Sequence, residues 1–97
     1  MIRHVVLFGW DDEMTDEMER QFAAELTALA PKLAGLRSYQ AGADAGLVEG
    51  NFDFAVVADF DDADSYLAYR SNAEHLDIIR RFSGPHTRTR ASVQYEI

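Results

Sequence analysis

The sequence predicts an α+β domain in which one antiparallel sheet of four strands carries helices on a single face. Two segments that are rich in β-branched and aromatic residues, 2–10 and 52–60, have the composition of strands. Two further segments carry helical spacing or helix-start signals, and a half-exposed strand pattern closes the chain. In the order β, α, β, β, α, β, the predicted segments are residues 2–10, 16–33, 36–43, 52–60, 65–82 and 90–97.

The first strand runs from Ile2 to Trp10 and ends at an acidic turn. Because side chains alternate across a strand, residues at even positions share one face and residues at odd positions share the other. Both faces are largely apolar, so we expect both to be covered. Helices would cover one face, and a second subunit is the natural cover for the other. The even face consists of Ile2, His4, Val6, Phe8 and Trp10.

The first helix is predicted from about Asp16 to Leu33. Thr15 is a suitable N-cap, and acidic residues follow it in the first turn, where they complement the helix dipole. Apolar residues then recur at helical spacing, and Gly35 is a natural stop signal. This helical stripe consists of Met18, Phe22, Leu26, Leu29 and Leu33.

Similar signals define the remaining elements. A weak strand pattern at 36–43 leads into a glycine-rich loop and then into the third strand. Asp61 or Asp62 can cap a helix that continues to about Ser71. Asn72 interrupts the helical pattern before a second segment, which ends near a glycine and a proline.

This order of elements is the ferredoxin-like split βαβ arrangement, in which both helices lie on one face of the sheet. The other face would then be bare. On our assignment it carries residues that are too apolar to be left in water, so we expect a symmetric homodimer that packs sheet against sheet. These residues are Ile2, His4, Val6, Phe8, Phe52, Phe54 and Val56.

Composition excludes several classes of function. At 97 residues the chain is expected to be a single domain, residues 1–97, with one core. The formal charge of −8, from 17 acidic and 9 basic side chains, repels nucleic acids and anionic lipids. The chain has no cysteine, which excludes disulfides and thiolate metal sites. The apolar run at 5–10 is too short for a signal peptide or a membrane span, which predicts a cytoplasmic protein.

The segment around Tyr69 and His75 combines a phenol with an imidazole beside apolar residues. On an unbroken helix these residues would point about 120° apart, so a break near Asn72 is needed to direct both into one cavity. An imidazole can take a proton from a carbon acid, and a phenol can donate to the oxyanion that forms. In the structural alternative, Tyr69 is a packed aromatic residue with its hydroxyl at the surface, and His75 is satisfied by Asp77 or a backbone carbonyl.

Other polar residues have plainer interpretations. His4 lies among apolar residues on a central strand, where it is either a site residue or a structurally satisfied core histidine. His86 is expected to be an exposed loop residue. The acidic residues at 59–64 lack the glycine and the final glutamate of a calcium loop, so no metal site is predicted. A solvated role is expected for the basic cluster of Arg80, Arg81, Arg88 and Arg90.

The chain resembles the stress-responsive A/B barrel, or Dabb, family over essentially its whole length. The opening MIRHVVLF is similar to the first strand of that family, and FDFAVVADF followed by YRSNAEH is similar to its third strand and second helix. The combination of His4 with the segment 72–75 is fairly specific to this family. The resemblance implies a dimeric α/β barrel, formed by two sheets across a two-fold axis, with a pocket between sheet and helices in each subunit.

Some relatives in this family look like polyketide cyclases, which close a ring by an aldol reaction without a cofactor. In those relatives a tyrosine and a histidine at positions that match Tyr69 and His75 act in catalysis. This chain has Asn72 and Ala73 where many members carry a histidine and a proline. It has Phe54 near the position where the cyclase-type relatives carry a histidine on the third strand.

Three functions follow from these observations. The first is a cofactor-free cyclase or lyase that acts on a small aromatic or polyketide-like carbonyl compound, with Tyr69, His75 and His4 as the catalytic candidates. The second is a non-catalytic stress-response protein that binds an apolar or aromatic ligand in the same pocket. The third, on fold analogy, is a haem-handling or monooxygenase relative. The aromatic lining of the pocket is expected to come from Phe8, Trp10, Phe52 and Phe54.

Overall fold

The computed structural model describes every residue from Met1 to Ile97 and confirms the α+β, ferredoxin-like fold class. Its elements are β1 (Ile2–Trp10), α1 (Asp16–Leu29), a 3₁₀ turn (Ala30–Lys32), β2 (Leu36–Ala43), β3 (Phe54–Phe60), α2 (Ala63–Ser71), α3 (Ala73–Arg81), α4 (Ser83–His86) and β4 (Thr87–Glu96). The strands form one antiparallel sheet in the order β2, β3, β1, β4, so β1 is paired on both sides. The structure contains no helix with the length and apolar character that crossing a membrane requires.

Several element boundaries differ from the predicted ones, and two of them have a clear physical cause. α1 ends at Leu29 rather than Leu33, because Pro31 lacks the N–H that an α-helix needs and the chain continues as a tighter 3₁₀ turn. β3 begins at Phe54 rather than Phe52. The residue between these two phenylalanines bonds its backbone to the end of β1 and to the preceding loop instead of continuing the strand ladder.

The main core lies between the sheet and α1. Phe22, Leu26 and Leu29 of α1 are buried against even-numbered residues of β1 and β3. Phe22 is fully buried, and its ring centroid lies 5.3 Å from that of Phe54. Burying an aromatic side chain of this size stabilises the fold by about 2–3 kcal/mol. The sheet residues of this core are Val6, Phe8, Trp10, Phe54 and Val56.

The prediction of which sheet face is bare was wrong, because the helices cover the even face of β1. Alternation decides which residues share a face, and since both faces of β1 are largely apolar it does not decide which face receives the helices. Phe52 lies outside the strand altogether. The other residues assigned to the bare face lie on the helix-covered side, and they are Ile2, His4, Val6, Phe8, Phe54 and Val56.

The open face of the sheet instead carries the odd-numbered residues of β1. Val5 stands between Val57 and Val93 in the register of the three strands, which makes an apolar row across the sheet. Val93 is 54% exposed. An ion pair between Arg3 and Asp59, with 2.7 Å between Nε and Oδ1, lies two residues along the strands from this row.

Candidate functional site

A cavity of about 330 Å³ lies between the sheet and the helices of the second half of the chain. Its volume is near the lower end of the range for small-molecule sites. Arg70, Leu76 and Arg90 line it and are exposed, so they mark its rim. Its apolar lining includes Val6, Phe8, Phe22, Leu26, Val56 and Ile79. Its uncharged polar and aromatic lining includes His4, Tyr66, Tyr69, His75 and Ser83.

Asn72 separates α2 from α3 and brings Tyr69 and His75 together. Its backbone is extended, with φ −63° and ψ 128°, so it ends one helix and serves as the N-cap of the next. The Asn72 side-chain oxygen accepts a hydrogen bond from the His75 backbone N–H at 3.0 Å. The change of direction at this residue places the Tyr69 and His75 rings with 4.0 Å between their centroids. Both side chains line the same cavity.

Tyr69 is 5% exposed, so its hydroxyl does not lie at the surface as the structural alternative supposed. The hydroxyl oxygens of Tyr69 and Tyr39 lie 3.1 Å apart and share a hydrogen bond. Burial raises the pKa of both phenols, and the contact with Tyr39 partly opposes this rise at Tyr69. Tyr69 therefore keeps its proton at neutral pH and can act as a hydrogen-bond donor.

The structural alternative assigned the His75 ring to Asp77 or to a backbone carbonyl, and Asp77 is not its partner. Asp77 forms ion pairs with Arg80 and Arg81 instead. The buried Nδ1 atom of His75 has no hydrogen-bond partner. Burial lowers the pKa of His75, and the backbone carbonyls at the end of α2 partly oppose this by favouring the charged ring. His75 is therefore neutral at physiological pH and able to accept a proton.

His4 lies at the floor of the cavity and is 3% exposed. Its Nδ1 atom is 3.0 Å from the side-chain nitrogen of Gln94, which faces it across the β1–β4 ladder. Its ring centroid lies 4.9 Å from that of Tyr66. Burial, and then the positive charges of Arg90, of His75 when it is protonated, and of Arg70, lower the pKa of His4 to about 4, so the His4 ring is neutral at pH 7.

Of the four predicted aromatic lining residues, only Phe8 lines this cavity. Trp10 stacks on Phe8 with 5.2 Å between ring centroids and donates its indole N–H to Glu19. Phe54 packs into the main core beneath α1. Phe52 precedes β3, is 37% exposed and lines separate hollows. Alternation predicted a shared face correctly for Phe8, Trp10 and Phe54, but not which side chains lie beneath which helix.

Several residues in or beside the cavity carry no clear signal in the sequence. Tyr66 is one helical turn before Tyr69, and Tyr39 comes from a strand with a weak pattern. Ser83 is 1% exposed and its hydroxyl has no hydrogen-bond partner. The signal that would have found Tyr39 is its register, since Tyr39 and His4 both pair with Ala58, one from each side of β3.

His86 was predicted to be an exposed loop residue, and this was wrong. It ends α4, and its side chain is 16% exposed. Its Nδ1 atom lies 3.1 Å from a carboxylate oxygen of Asp11, and its carbonyl accepts the Asp11 backbone N–H. His86 therefore ties α4 to the end of β1, outside the cavity.

The side chains of the cavity do not form a metal site. No three histidine, aspartate or glutamate side chains are grouped anywhere in the structure so as to hold a metal ion. The polar side chains that line the cavity carry phenols, imidazoles, two aliphatic hydroxyls and two guanidinium groups. This set can transfer protons and donate hydrogen bonds to oxygen atoms.

Replacing Asn72 by alanine is expected to lower the free energy of unfolding by about 1 kcal/mol, because α3 loses its N-cap. Urea unfolding measures this loss. The variant Asn72→Asp is the control, since it retains an oxygen that can accept the His75 backbone N–H. If the two variants prove equally stable, the hydrogen bond from the Asn72 side chain does not stabilise the break.

Acidification is expected to destabilise the protein through His4. Between pH 6.5 and about 4 the unfolded chain binds a proton that the folded His4 does not, so stability is full above 6.5 and falls as the pH decreases toward 4. From pH 7.5 to 5, His4 alone should cost about 2 kcal/mol of unfolding free energy. Urea unfolding of wild type and His4→Asn at both pH values measures this contribution. An equal loss in both proteins would show that His4 does not cause it.

Comparisons with known proteins agree with the fold. A solved dimeric ferredoxin-like protein of unknown function from Thermobifida fusca YX is 38% identical, with a TM-score of 0.91 over 99% of this chain and 90% of the other. A Dabb family protein from Mesorhizobium loti is 18% identical, with a TM-score of 0.79 over 99% of this chain and 95% of that one. A hydroxynitrile lyase from Passiflora edulis is also 18% identical, with a TM-score of 0.82 over 99% of this chain and 92% of the lyase.

A search of curated proteins gives no match. The family model for the stress responsive A/B barrel domain, Dabb, matches residues 2–97. This match covers nearly the whole chain, including every strand and helix of the sheet-and-helix fold. The chain therefore belongs to the Dabb family.

Proposed function

We propose that this protein is a cofactor-independent lyase or cyclase that breaks or forms a carbon–carbon bond beside a carbonyl group in a small aromatic or polyketide-like compound. The observation that carries the proposal is the pairing of Tyr69 with His75. Their ring centroids lie 4.0 Å apart in a mostly apolar cavity of about 330 Å³. One group keeps its proton at neutral pH and the other is free to accept one, which is the combination that acid–base catalysis needs.

His75 is the proposed base. In the cyclase direction its neutral ring takes a proton from the carbon next to a carbonyl, and the resulting enolate carbon attacks a second carbonyl. The proton then goes to the alkoxide that forms, so no cofactor is required. The carbonyls of Tyr69 and Arg70, at the C-terminal end of α2, favour the positive charge that His75 carries between these two transfers.

Tyr69 is the proposed donor to the oxygen that becomes negative. A hydroxyl with a raised pKa does not lose its proton to the enolate, and it stabilises the oxyanion by hydrogen bonding. If Tyr39 donates to Tyr69, the Tyr69 proton is left for the cavity. Tyr39 does not line the cavity and lies behind Tyr69, so we assign it a positioning role. The apolar walls strengthen these interactions by lowering the local dielectric constant.

The same groups suit the reverse type of reaction. The hydroxynitrile lyase from Passiflora edulis shares the fold. For a hydroxynitrile, the base takes the hydroxyl proton and the carbon–carbon bond breaks as the carbonyl forms. The electron pair leaves on cyanide, which takes the proton back as hydrogen cyanide. Both directions use one base and one donor beside a carbonyl oxygen, which is why a single site supports either.

Turnover is tested by offering aromatic hydroxynitriles and polyketide-like diketones, and by measuring released aldehyde, cyanide or cyclised product. With a substrate found in this way, His75→Ala and Tyr69→Phe should each lower kcat/KM by about 100-fold or more. His86→Gln and Tyr95→Phe are matched controls outside the cavity and should leave it unchanged. A substrate that is turned over equally by all five proteins would show that the pair is not catalytic.

The pH dependence of kcat/KM gives a second readout of the same pair. Activity should fall on the acid side as His75 becomes protonated, at a pH below the ordinary histidine value of 6.5. It should not fall on the alkaline side below the ordinary phenol value of 10, because the pKa of Tyr69 is raised. An acid limb that is unchanged in a partly active His75→Gln variant would assign the titration to another group.

A second candidate function is non-catalytic binding of an apolar or aromatic ligand. It is favoured by the fact that Tyr69 and His4 already have hydrogen-bond partners, Tyr39 and Gln94, without any ligand. Saturable binding that survives Tyr69→Phe and His75→Ala, with no product formed, would support it. Haem handling is the less favoured alternative, because the cavity is small, and it would show as a visible absorption band when haem is added.

We also propose that two copies of the chain pack through their open sheet faces. Three solved relatives in fold are described as dimeric. The row of Val57, Val5 and Val93 provides a self-complementary apolar strip, as a two-fold interface requires. Val93→Glu is expected to shift the protein toward monomer in size-exclusion chromatography with light scattering, because it would bury a charge.

Leu67→Glu is the control for this experiment. Leu67 is 53% exposed on α2, which packs on the opposite side of the sheet. The same type of substitution there should leave the molar mass unchanged. A Val93→Glu protein with the mass of wild type would mean that the open face is not the interface.

A further inference from the structure

Most basic side chains of this acidic protein form ion pairs with carboxylates, but two of them do not. The chain has 9 basic and 17 acidic side chains, so a carboxylate partner is easy to find. Arg70 and Arg90 form no ion pair, and Arg90 makes only a 3.3 Å contact with the hydroxyl of Ser92. The other basic residues all lie within 4.0 Å of a carboxylate, and they are Arg3, Arg20, Lys32, Arg37, Arg80, Arg81 and Arg88.

The two unpaired arginines occupy one place in the molecule. Arg70 is in the last turn of α2 and Arg90 is on β4, yet both line the cavity that holds Tyr69 and His75. They come from different elements, a helix and a strand, and both are exposed. Both positive charges also lower the pKa of His4 at the cavity floor, after burial as the main cause.

Arg90 was expected to be a solvated member of a basic cluster with Arg80, Arg81 and Arg88. The structure separates it from them. Arg80 and Arg81 pair with Asp77, and Arg88 pairs with Asp12 outside the cavity. Only Arg90 of this cluster lines the cavity that contains the site.

We propose that the cavity selects small molecules that carry a single carboxylate, which binds Arg70 and Arg90 at the rim while an apolar or aromatic body lies inside. The proposal rests on the proposed function only in that both use this cavity. Guanidinium groups suit a planar carboxylate, which they can bind through two parallel hydrogen bonds. Phe8, Phe22 and Val56 supply the apolar surface for the rest of the ligand.

This arrangement would also orient a ligand. The carboxylate is held at the exposed end, so the uncharged end points toward the interior, where Tyr69 and His75 lie. Ser83 lines the same cavity, and its buried hydroxyl has no hydrogen-bond partner in the protein. A carbonyl or hydroxyl of the ligand can form a hydrogen bond with it. A carbonyl compound with an acid group at its far end therefore satisfies both ends of the site.

The test compares carboxylates with uncharged analogues of nearly the same shape. Phenylacetate, cinnamate and 2-naphthoate, and the primary amide of each, are titrated by calorimetry into wild type. We also titrate Arg70→Gln, Arg90→Gln, the double variant and Arg88→Gln. At least one carboxylate should bind wild type about tenfold tighter than its amide or more. The double variant should lose this preference, and Arg88→Gln should keep it because Arg88 already has a carboxylate partner.

Several results would overturn the proposal. One is that every amide binds wild type as tightly as its carboxylate, and another is a preference for carboxylate that survives in the double variant. A third is that none of the carboxylates raises the melting temperature of the wild-type protein at about 10 mM. Phenyl phosphate is included as a doubly charged probe, and tighter binding of phenyl phosphate than of the carboxylates would replace the assignment by a phosphate site.

The outcomes separate this proposal from the proposed function. Carboxylate binding that depends on the arginines, without turnover of any compound, leaves the binding assignment intact and removes the catalytic one. Turnover of a neutral substrate that is unaffected by Arg70→Gln and Arg90→Gln leaves the catalytic assignment intact and removes the carboxylate-binding one. Calorimetry and turnover are therefore both measured on every variant.

A readout that needs no ligand checks the positions of the arginines. Burial is the main cause of the low pKa of His4, and the charges of Arg90, His75 and Arg70 lower it further. Removing either arginine should raise the pKa of His4, measured by NMR titration of the ring protons, whereas Arg88→Gln should not. If the pKa of His4 is identical in all variants, the two arginines lie too far from the cavity to bind a ligand inside it.

Discussion

The site depends on one backbone constraint, the break between α2 and α3 at Asn72. The extended conformation of this residue ends α2, and its side chain caps α3 through the His75 backbone N–H. A continuous helix would separate the directions of Tyr69 and His75 by about 120°. With the break, one ring packs on the other and both face the sheet side of the helix layer. The same break aims the last carbonyls of α2 at the imidazole, which links helix geometry to the pKa of the proposed base.

The sheet contributes a matching constraint through its register. Tyr39, Ala58, His4 and Gln94 lie in one row across all four strands. Because Ala58 is small and fully buried, it leaves space for the ring of Tyr69 between the larger side chains on either side. Tyr39 then reaches the Tyr69 hydroxyl and Gln94 reaches the His4 ring. Long-range pairing thus supplies the hydrogen-bond partners that keep two buried polar groups in place.

Local patterns predicted what depends on local chemistry and missed what depends on register. The element order, the extent of β2 and the break at Asn72 follow from alternation, spacing and capping. The same patterns chose the wrong sheet face, because an apolar residue on either face of β1 satisfies the alternation equally well. Phe52, Phe54 and Trp10 were assigned to the cavity because alternation put aromatic residues on a shared face, whereas the register and the helix positions place them elsewhere. The partners of the site, such as Tyr39, come from strands that are distant in sequence, and their contribution becomes visible only when the strands are paired.

The site also makes demands on the stability of so small a domain. The His75 Nδ1 and Ser83 hydroxyl are buried without partners, and a group of this kind costs about 1–3 kcal/mol. Burial holds the pKa of His4 below the ordinary histidine value, and the cavity takes the place of packed side chains at the centre of the fold. Domains of this size have about 5–15 kcal/mol of net stability, so these costs are a substantial fraction of it. The proposed sheet-to-sheet dimer offsets them on the opposite face, where burial of the Val57, Val5 and Val93 row adds apolar contact without filling the cavity. On this argument the open face supports the site, because burial at the interface would compensate for the stability that the cavity and its buried polar groups cost the chain.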